Sequence, residues 1–293
     1  MSQILDGKAL ADTICADLKV RLDKIRGDLH QEAIEPTLVI VTSGSDVASK
    51  VYVRNKMKRC EEIGIRAIVR HFDELCMLDV YAMLREYSTT PMIFQMPICG
   101  DVSLADLRCA IGEELRDVDG FVDGFNVAGL ASGTGVEFLP CTPKGVMCLL
   151  NAYDIPVEGK SVCIIGRSNI VGRPLSWMME QEGATVTLCH SKTPERTLYQ
   201  AVAAADIVVS ATGVRNVITM EKLLQYASWN AAGKVFVDVG MNRDENGKLC
   251  GDIDSLILQA SAAYTPVPGG VGPMTVAMLM ENVVEHYERQ VNG

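Results

Sequence analysis

The stretch "CIIGRSNIVGRP", residues Cys163–Pro174, begins as an apolar strand and turns at a glycine. The strand ends at Ile165, Gly166 opens the turn, and Gly172 follows where the next helix starts. These two glycines match the first and third of the dinucleotide fingerprint G-x-G-x-x-G. Ser168 replaces the middle glycine, and its hydroxyl can bond a phosphate oxygen. The pattern predicts a dinucleotide site. The alternative is an ordinary strand-turn-helix that contains glycines.

Apolar strands alternate with helical segments on both sides of this stretch. Before it, a helix is predicted from a cap at Ser45 or Asp46 to Gly64, followed by the strands "RAIVRHF" and "PMIFQMPI". After it, the strands "TVTLCH", "DIVVSAT" and "KVFVDVG" follow "SVCIIG". Such alternation indicates parallel sheets with crossovers. We predict an α/β protein of two α/β domains, residues 1–140 plus 276–293 and residues 141–275. The second domain is of Rossmann type, and the C-terminal helix returns to the first.

Composition limits the classes of function. The 293 residues are 48% hydrophobic and 22% charged, as in soluble globular proteins, and the net charge is −10. An acidic chain lacks the basic footprint that nucleic acid or anionic lipid requires. The sequence contains no run of about 18 apolar residues, the length that a membrane span needs, so a cytoplasmic protein is expected. Ten scattered cysteines without a C-x-x-C pair predict free thiols, and the spacing of four histidines predicts no metal site.

The choice between NAD and NADP depends on the end of the strand after the glycine turn. NAD enzymes commonly place a carboxylate there, but "TVTLCHSKT" ends in His190 and Ser191. A 2'-phosphate would meet Arg167 and Ser191, with Arg173 or Lys192 as further cations, so the cofactor is predicted to be NADP. The alternative is that these charges are solvated surface residues.

Several motifs occur in one order along nearly the whole chain. They are "ILDGKALA", "YVRNK" (Tyr52–Lys56), "DVDGF" (Asp117–Phe121), "PCTPKG", "GRSNIVGRP" (Gly166–Pro174), "CHSKT" and "TPVPGGVGPMT" (Thr265–Thr275). In these motifs the chain resembles the methylenetetrahydrofolate dehydrogenase/cyclohydrolase family. The resemblance implies oxidation of 5,10-methylene-tetrahydrofolate to the 5,10-methenyl form with a nicotinamide cofactor, then hydrolysis to 10-formyl-tetrahydrofolate. It also implies a homodimer, and a cleft between the two domains that binds the folate.

The resemblance also implies the site residues. The catalytic residues are Lys56, its neighbour Tyr52, Gln95 as the glutamine that contacts the lysine, and Asp119 as the carboxylate that holds the pterin. The implied substrate-binding residues are Tyr52, Val53, Arg54, Asn55, Lys56, Phe94, Gln95, Met96, Asp119, and the loop Pro268, Gly269, Gly270, Val271, Gly272, Pro273, Met274, Thr275 and Val276. The cofactor-binding residues are Gly166, Arg167, Ser168, Ile170, Val171, Gly172, His190, Ser191, Ala211, Thr212, Gly213, Gly240 and Met241.

The two reactions make different demands on these residues. Loss of hydride leaves a cation that the flanking nitrogens share, so the protein mainly positions the substrate and the nicotinamide. Hydrolysis requires a base for water, and a lysine can serve only when neutral, a form that burial and a cationic substrate favour. Each residue also has a plainer interpretation. Lys56 could be a solvated charge, Tyr52 a core aromatic, Asp119 a turn residue and Gln95 an amide at a strand end.

The chain departs from the family pattern in places. Val47 stands where proline is common, Val122 and Asp123 replace a His-Pro pair, and the segment from Gly64 to Gln95 is shorter than usual. Two alternatives therefore stay open. One is a dehydrogenase with weak cyclohydrolase activity, and the other is a non-catalytic NADP-binding module.

Overall fold

The computed structural model describes residues 2–28, 35–111, 117–120, 138–231 and 233–292. Phe121, Val122 and Asp123 lie outside the described residues. The chain divides into two compact units. The six-strand unit contains the described residues within 1–11 and 140–275, and the three-strand unit contains those within 12–126, 135–139 and 276–293.

The three-strand unit is built around a parallel sheet of order β3-β2-β4. Its strands are β2 (Thr37–Ser43), β3 (Arg66–Phe72) and β4 (Met92–Phe94). Its helices are α2 (Val47–Ile63), α3 (Met77–Glu86) and α4 (Leu104–Ile111), together with most of α1 (Gly7–Asp28) and of α10 (Val271–Asn292). The central strand β2 is almost wholly buried, as expected for a parallel strand with both faces covered.

Local signals set the ends of α2 where the sequence predicts them. The Asp46 carboxylate accepts a 2.6 Å hydrogen bond from the Ser49 amide, which caps the first turn. Gly64 ends the helix at φ +91°, and its N–H reaches the carbonyl of Cys60. By contrast, the predicted strand "PMIFQMPI" is regular only from Met92 to Phe94. The Gln95 amide still pairs with Val41, but Pro97 has no N–H to continue a ladder.

The C-terminal helix packs in the three-strand unit from Val276 onward, as predicted. The Tyr287 hydroxyl bonds both the amide and the carbonyl of Thr37 at 2.9 Å, where β2 begins. Met280 contacts Cys60 of α2, with 3.6 Å between the two sulfur atoms. These contacts join chain segments that are far apart in sequence, which gives the unit its closed core.

The six-strand unit has a parallel sheet of order β1-β11-β8-β7-β5-β6. Its strands are β1 (Gln3–Ile4), β5 (Ser161–Ile165), β6 (Thr185–Cys189), β7 (Ile207–Ser210), β8 (Val235–Asp238) and β11 (Ala263–Tyr264), with the hairpin β9 (Asn242–Arg243) and β10 (Leu249–Cys250). Its helices are α5 (Cys141–Ala152), α6 (Gly172–Gln181), α7 (Glu195–Ala204), α8 (Met220–Tyr226) and α9 (Ser255–Ala260).

The strand order locates the ligand edge of this sheet. From β5 onward the order is second, first, third, fourth, fifth, which is one of the two common doubly wound arrangements. The direction of winding reverses between β5 and β7, and ligands bind outside the carboxyl ends of the strands at such a switch point. Gly166 follows β5 and Ala211 lies just after β7, so both lie at this point.

Two segments differ from their sequence-based placement. Residues 1–11 were expected in the first domain, but β1 pairs with β11 through hydrogen bonds from the amides of Gln3 and Leu5. The segment Pro268–Val276 was expected as a loop, but α10 already begins at Val271. The Gly270 amide donates a hydrogen bond to the Pro266 carbonyl, which closes a turn just before the helix. Pro273 lies in the first helical turn, where its missing N–H is not needed.

Candidate active site

A buried ion pair joins α2 to the turn at residues 117–120. The Lys56 Nζ lies 3.5 Å from Oδ2 of Asp119, and the side chains are 8% and 6% exposed. Lysine and aspartate are rarely this buried unless they are paired or have a function. Lys56 is thus not the solvated surface charge that its helical position also allowed.

The turn that carries Asp119 is held at three points. The Asp119 amide donates to Oδ1 of Asp117 at 3.2 Å, and the Gly120 amide donates to the Asp117 carbonyl at 3.1 Å. From α10, the fully buried Asn282 donates through Nδ2 to the carbonyls of Val118 and Leu139. The sequence analysis missed Asn282, although an asparagine within the apolar run "VAMLMENVV" is a signal for a buried polar contact.

Tyr52 lies one helical turn before Lys56, on the same face of α2, and is half-buried. Desolvation by burial raises the pKa of its phenol above the ordinary value. The phenol therefore stays protonated at neutral pH and can serve as a hydrogen-bonding group. Next in the motif, Val53 is buried, whereas Arg54 and Asn55 are exposed.

Gln95 follows β4 and has an unsatisfied side-chain oxygen. Its Nε2 donates to the Met96 carbonyl at 3.0 Å, while the buried Oε1 has no hydrogen-bond partner among the described residues. In the described part of the chain no hydrogen bond joins Gln95 to Lys56, so the contact between them stays a prediction. A buried acceptor without a partner is costly, and a bound donor would satisfy it.

Cys60 lies one turn beyond Lys56 and is fully buried. Burial raises the pKa of its thiol to about 12, against the opposing influence of the Lys56 charge. The thiolate is the nucleophilic form of cysteine, so Cys60 is inert at neutral pH.

The predicted folate loop lies mainly in the six-strand unit, to which residues up to Thr275 belong. Its backbone is closely packed, because a Cβ on Gly7 would lie 2.0 Å from the Gly270 oxygen. The Lys8 amide also donates to the Gly269 carbonyl at 2.9 Å. The glycine of the "ILDGKALA" motif is therefore required at position 7, because any larger residue would collide with this backbone.

The glycines of the opening stretch are required by close backbone contacts. Gly166 has φ +117°, and a Cβ there would lie 2.4 Å from the Ala211 oxygen. A Cβ on Gly172 would lie 2.0 Å from the Gly166 oxygen. The first glycine therefore permits the turn and the approach to β7, and the third permits the approach of α6.

Ser168 ties this turn to α6. Its Oγ accepts hydrogen bonds from the amides of Val171, at 3.1 Å, and Gly172, at 3.5 Å. The serine therefore supports the turn from within, and its hydroxyl hydrogen is left to donate. A phosphate oxygen is a suitable acceptor for that hydrogen.

Arg167 and Ser191 follow neighbouring strands, since Ile165 of β5 lies opposite Cys189 of β6. Both side chains are exposed, and Arg167 has no carboxylate partner among the described residues. His190 orients the same turn, because its Nδ1 accepts from the Lys192 amide at 3.1 Å. An unpaired guanidinium beside a hydroxyl can bind a phosphate monoester.

A carboxylate network at the same sheet edge was missed by the sequence analysis. Asp238 ends β8, Asp252 follows β10, and both are almost completely buried. The Asp252 amide donates to Oδ1 of Asp238 at 2.9 Å. The available signal was an acid directly after a run of buried strand residues in "VFVDVG".

Fold and site together define an α/β protein with a dinucleotide-binding unit and a second unit that carries a buried lysine-carboxylate pair. Among the described residues, no group of three or more His, Cys, Asp or Glu side chains could hold a metal ion. No described helix combines the length and apolar character that crossing a bilayer requires.

Comparison with known proteins gives the family. Residues 5–119 match the catalytic domain, and residues 140–291 the NAD(P)-binding domain, of the tetrahydrofolate dehydrogenase/cyclohydrolase family. The bifunctional protein FolD of Paraburkholderia phytofirmans is 42% identical over 295 residues, which cover 99% of this chain and 98% of the relative. The chain belongs to the tetrahydrofolate dehydrogenase/cyclohydrolase family.

Solved structures agree over the full length. The bifunctional FolD methylenetetrahydrofolate dehydrogenase/cyclohydrolase of Campylobacter jejuni is 37% identical with a TM-score of 0.89, and the match covers 99% of this chain and 100% of that one. The Trypanosoma brucei methylenetetrahydrofolate dehydrogenase-cyclohydrolase, solved with NADP and an inhibitor, is 28% identical with a TM-score of 0.88. That match covers 100% of this chain and 99% of that one.

Proposed function

We propose that this chain oxidises 5,10-methylene-tetrahydrofolate to 5,10-methenyl-tetrahydrofolate with NADP and then hydrolyses the product to 10-formyl-tetrahydrofolate. The observation that carries the proposal is the buried pair of Lys56 and Asp119, in a chain that belongs to this family over both of its domains. Lys56 and Asp119 are both present in the sequence although Val47, Val122 and Asp123 depart from the family pattern.

Lys56 is assigned the proton transfers of hydrolysis. Its Nζ lies 3.5 Å from the Asp119 carboxylate, and an amine can accept a proton from water only in its neutral form. A pterin whose N–H groups bond Asp119 weakens that pairing, and the cationic methenyl substrate also opposes a second positive charge. The neutral amine removes a proton as water attacks the methenyl carbon, and the resulting ammonium can return a proton to the substrate nitrogen whose bond to that carbon breaks.

Tyr52 and Gln95 are assigned orienting roles. The protonated phenol of Tyr52 can donate to a substrate atom or to the attacking water. The unpartnered Oε1 of Gln95 can accept from the Lys56 amine or from a substrate N–H. Hydrogen bonds of this kind would limit the directions in which Lys56 can act.

The residues of the six-strand unit suit NADP. Arg167 and Ser191 would hold the 2'-phosphate, and the turn from Gly166 to Gly172 would receive the pyrophosphate at the start of α6. When bound, the nicotinamide accepts the hydride of the methylene carbon. The chain supplies no strong base for that step, because the substrate nitrogens stabilise the cation that forms.

One assay tests the proposal and its alternatives. The protein is mixed with NADP and 5,10-methylene-tetrahydrofolate, and NADPH and methenyl-tetrahydrofolate are followed by absorbance. The bifunctional enzyme forms NADPH while the methenyl form appears and then disappears faster than without protein. Stable methenyl-tetrahydrofolate would indicate a dehydrogenase with weak cyclohydrolase activity. Absence of NADPH formation, with NADP still bound, would indicate a binding module.

We also propose that two copies form a homodimer through the outer edge of β3. Within the described residues this edge has no strand partner, and Val69 on it is 36% exposed. Beside it lies a groove of about 460 Å³, lined by Met57 and Ala67 among others. An exposed parallel-sheet edge with apolar neighbours suits pairing with the same edge of a second copy.

Sedimentation equilibrium tests the dimer. The variant Val69→Lys should shift the protein towards monomer, while Leu224→Glu, an exposed leucine of the six-strand unit, should leave the mass unchanged. A monomeric parent protein would contradict the proposed interface.

We further propose a cytoplasmic location and no nucleic-acid or membrane partner. The described residues contain no disulfide, which suits a reducing compartment, and the net charge of −10 opposes binding to polyanions. Cell fractionation tests the location. Recovery of the protein with the membranes would contradict it.

A further inference from the structure

Two buried carboxylates fill the space that two glycines leave at the carboxyl edge of the six-strand sheet. A Cβ on Gly240 would lie 1.9 Å from Oδ1 of Asp252, and a Cβ on Gly251 would lie 2.0 Å from Oδ2 of Asp238. Asp238 accepts from the amides of Asp252 and Ile253, each at 2.9 Å. This packing fixes the position of the Asp252 side chain.

The Oδ2 atom of Asp252 accepts hydrogen bonds from the end of β7 and from the loop that follows it. It accepts from the Thr212 amide and hydroxyl, each at 2.8 Å, from the Ser210 hydroxyl at 2.9 Å and from the Gly213 amide at 3.2 Å. The Oδ1 atom accepts from Nδ2 of Asn242 at 2.9 Å. The Asp252 carboxylate therefore accepts five hydrogen bonds, three of them from the loop residues Thr212 and Gly213, one from Ser210 at the end of β7 and one from Asn242 of β9.

The remaining amides of this loop are also engaged inside the protein. The Ala211 amide donates to the Ile165 carbonyl at 2.8 Å, and the Val214 amide donates to the Thr212 hydroxyl oxygen at 3.1 Å. Every backbone N–H from Ala211 to Val214 thus has an internal acceptor. The loop has no amide hydrogen left for a ligand.

Peptide planarity then determines which way the carbonyls point. In a trans peptide the C=O lies opposite the N–H, so the Ala211 and Thr212 carbonyls point away from Asp252. The Ala211 oxygen does lie towards Gly166, across the point where the winding of the sheet reverses. At this switch point the loop offers carbonyl acceptors to a ligand.

We propose that Asp252 is a positioning residue that makes the loop Ala211–Gly213 an acceptor surface for a hydroxyl or amide N–H of the dinucleotide, and not for a phosphate. The inference rests on the assignment of this loop to the cofactor. Phosphates need donors, and these lie across the switch point, at Arg167 and at the start of α6. The two sides of the switch point therefore recognise different parts of the same ligand.

The variant Asp252→Asn tests the proposal. An amide keeps the shape, but its NH2 must face either the loop donors or Nδ2 of Asn242. We expect the Kd of NADP, measured by calorimetric titration at pH 7.5, to rise about tenfold or more. Hydrolysis of methenyl-tetrahydrofolate consumes no cofactor, so its rate should stay within about twofold and report an intact protein.

Two further variants complete the test. Asp254→Asn changes a carboxylate that caps α9 and bonds the Met220 and Leu256 amides, and it should leave the Kd unchanged. Ser210→Ala removes one donor to Asp252, and it should weaken NADP binding by about threefold even if Asp252→Asn does not fold.

Titration with 2',5'-ADP shows which half of the cofactor the loop meets. If Asp252→Asn loses equal affinity for 2',5'-ADP and for NADP, the loop contacts the adenosine ribose. If the variant loses affinity for NADP alone, the loop contacts the nicotinamide half. The proposal would be overturned if NADP affinity were unchanged in both Asp252→Asn and Ser210→Ala. It would also be overturned if Asp254→Asn lost as much NADP affinity as Asp252→Asn. A parent protein that does not bind NADP would instead overturn the proposed function.

Discussion

The ammonium of Lys56 lies 3.5 Å from the carboxylate of Asp119, and the side chains are shielded from solvent. Two opposite charges in such a place stabilise each other, but neither would be well solvated alone. A ligand group that occupies Asp119 would therefore take away the partner of the Lys56 amine.

Replacement of Lys56 by methionine should separate the two activities. The change keeps the length of the side chain and removes the proton acceptor. Hydrolysis of methenyl-tetrahydrofolate should fall by about 100-fold or more, the usual contribution of a positioned base. Hydride transfer, which needs no base, should fall by far less. Steady-state rates of both steps, measured on one preparation, check this.

Lys58→Met is the matched control, because Lys58 lies on the same helix with its side chain 75% exposed. It should leave both rates near those of the parent protein. Equal loss of both activities in Lys56→Met, with the fold intact, would argue against the assigned role.

Replacement of Asp119 by asparagine should destabilise the protein, because Lys56 is then buried without its partner. The expected loss in the free energy of unfolding is about 3 kcal/mol, measured by urea denaturation. The double variant Lys56→Met/Asp119→Asn should recover part of it, since no uncompensated charge remains. Asp106→Asn, at an exposed helix cap, should cost far less. A loss no larger in Asp119→Asn than in Asp106→Asn would show that the pair is not stabilising.

A Cβ at position 166 should prevent cofactor binding. Gly166→Ala combines a φ of +117° with an overlap at 2.4 Å against the Ala211 oxygen, so the turn or the β7 loop must move. NADP binding, measured by titration, should be lost, and the melting temperature should fall. Gly247→Ala is the control, since Gly247 also has positive φ, +76°, but nothing lies within 4 Å of the added atom. Tight NADP binding by Gly166→Ala would contradict the assigned turn.

The preference for NADP should depend on Arg167. Arg167→Ala should raise the KM for NADP by about tenfold and leave the KM for NAD little changed, because only NADP has the 2'-phosphate. Arg196→Ala removes another exposed arginine of the same unit and should change neither constant. A parent enzyme with higher kcat/KM for NAD than for NADP would rule out this assignment.

Asp238 should make stability depend on pH. Desolvation raises the pKa of its carboxyl to about 6, although amide donors such as those of Ile253 and Gly240 act in the opposite direction. A pKa that is higher in the folded chain than the ordinary 3.8 means that the folded state binds the extra proton between the two values. Stability from this group is therefore present below about pH 4 and is lost as the pH rises through about 6.

The measurement is urea denaturation of the parent and of Asp238→Asn between pH 4 and pH 7.5. Between these two pH values, the free energy of unfolding of the parent should fall by about 3 kcal/mol relative to that of the variant. Parallel pH profiles of the two proteins would show that Asp238 does not titrate there.

Much of the architecture follows from local sequence signals. The Asp46 cap, the Gly64 stop and the glycine turn after β5 depend on contacts within a few residues, so short motifs predict them. The pairing of β1 with β11 does not follow from such signals, because two short strands reveal no partner. Nor does the early start of α10, which depends on the turn that Gly270 closes with Pro266.

The site shows the same division. The sequence by itself determined which residues are predicted to bear the chemistry, since Lys56, Tyr52, Gln95, Asp119 and the cofactor turn all lie in motifs that resemble those of the family. Only the tertiary structure decided that Lys56 is buried against Asp119, 63 positions away, and that Asp252 accepts a hydrogen bond from Ser210, 42 positions away. Burial and long-range pairing depend on how distant segments pack, because desolvation and hydrogen-bond geometry are properties of the folded core and not of any single stretch of chain.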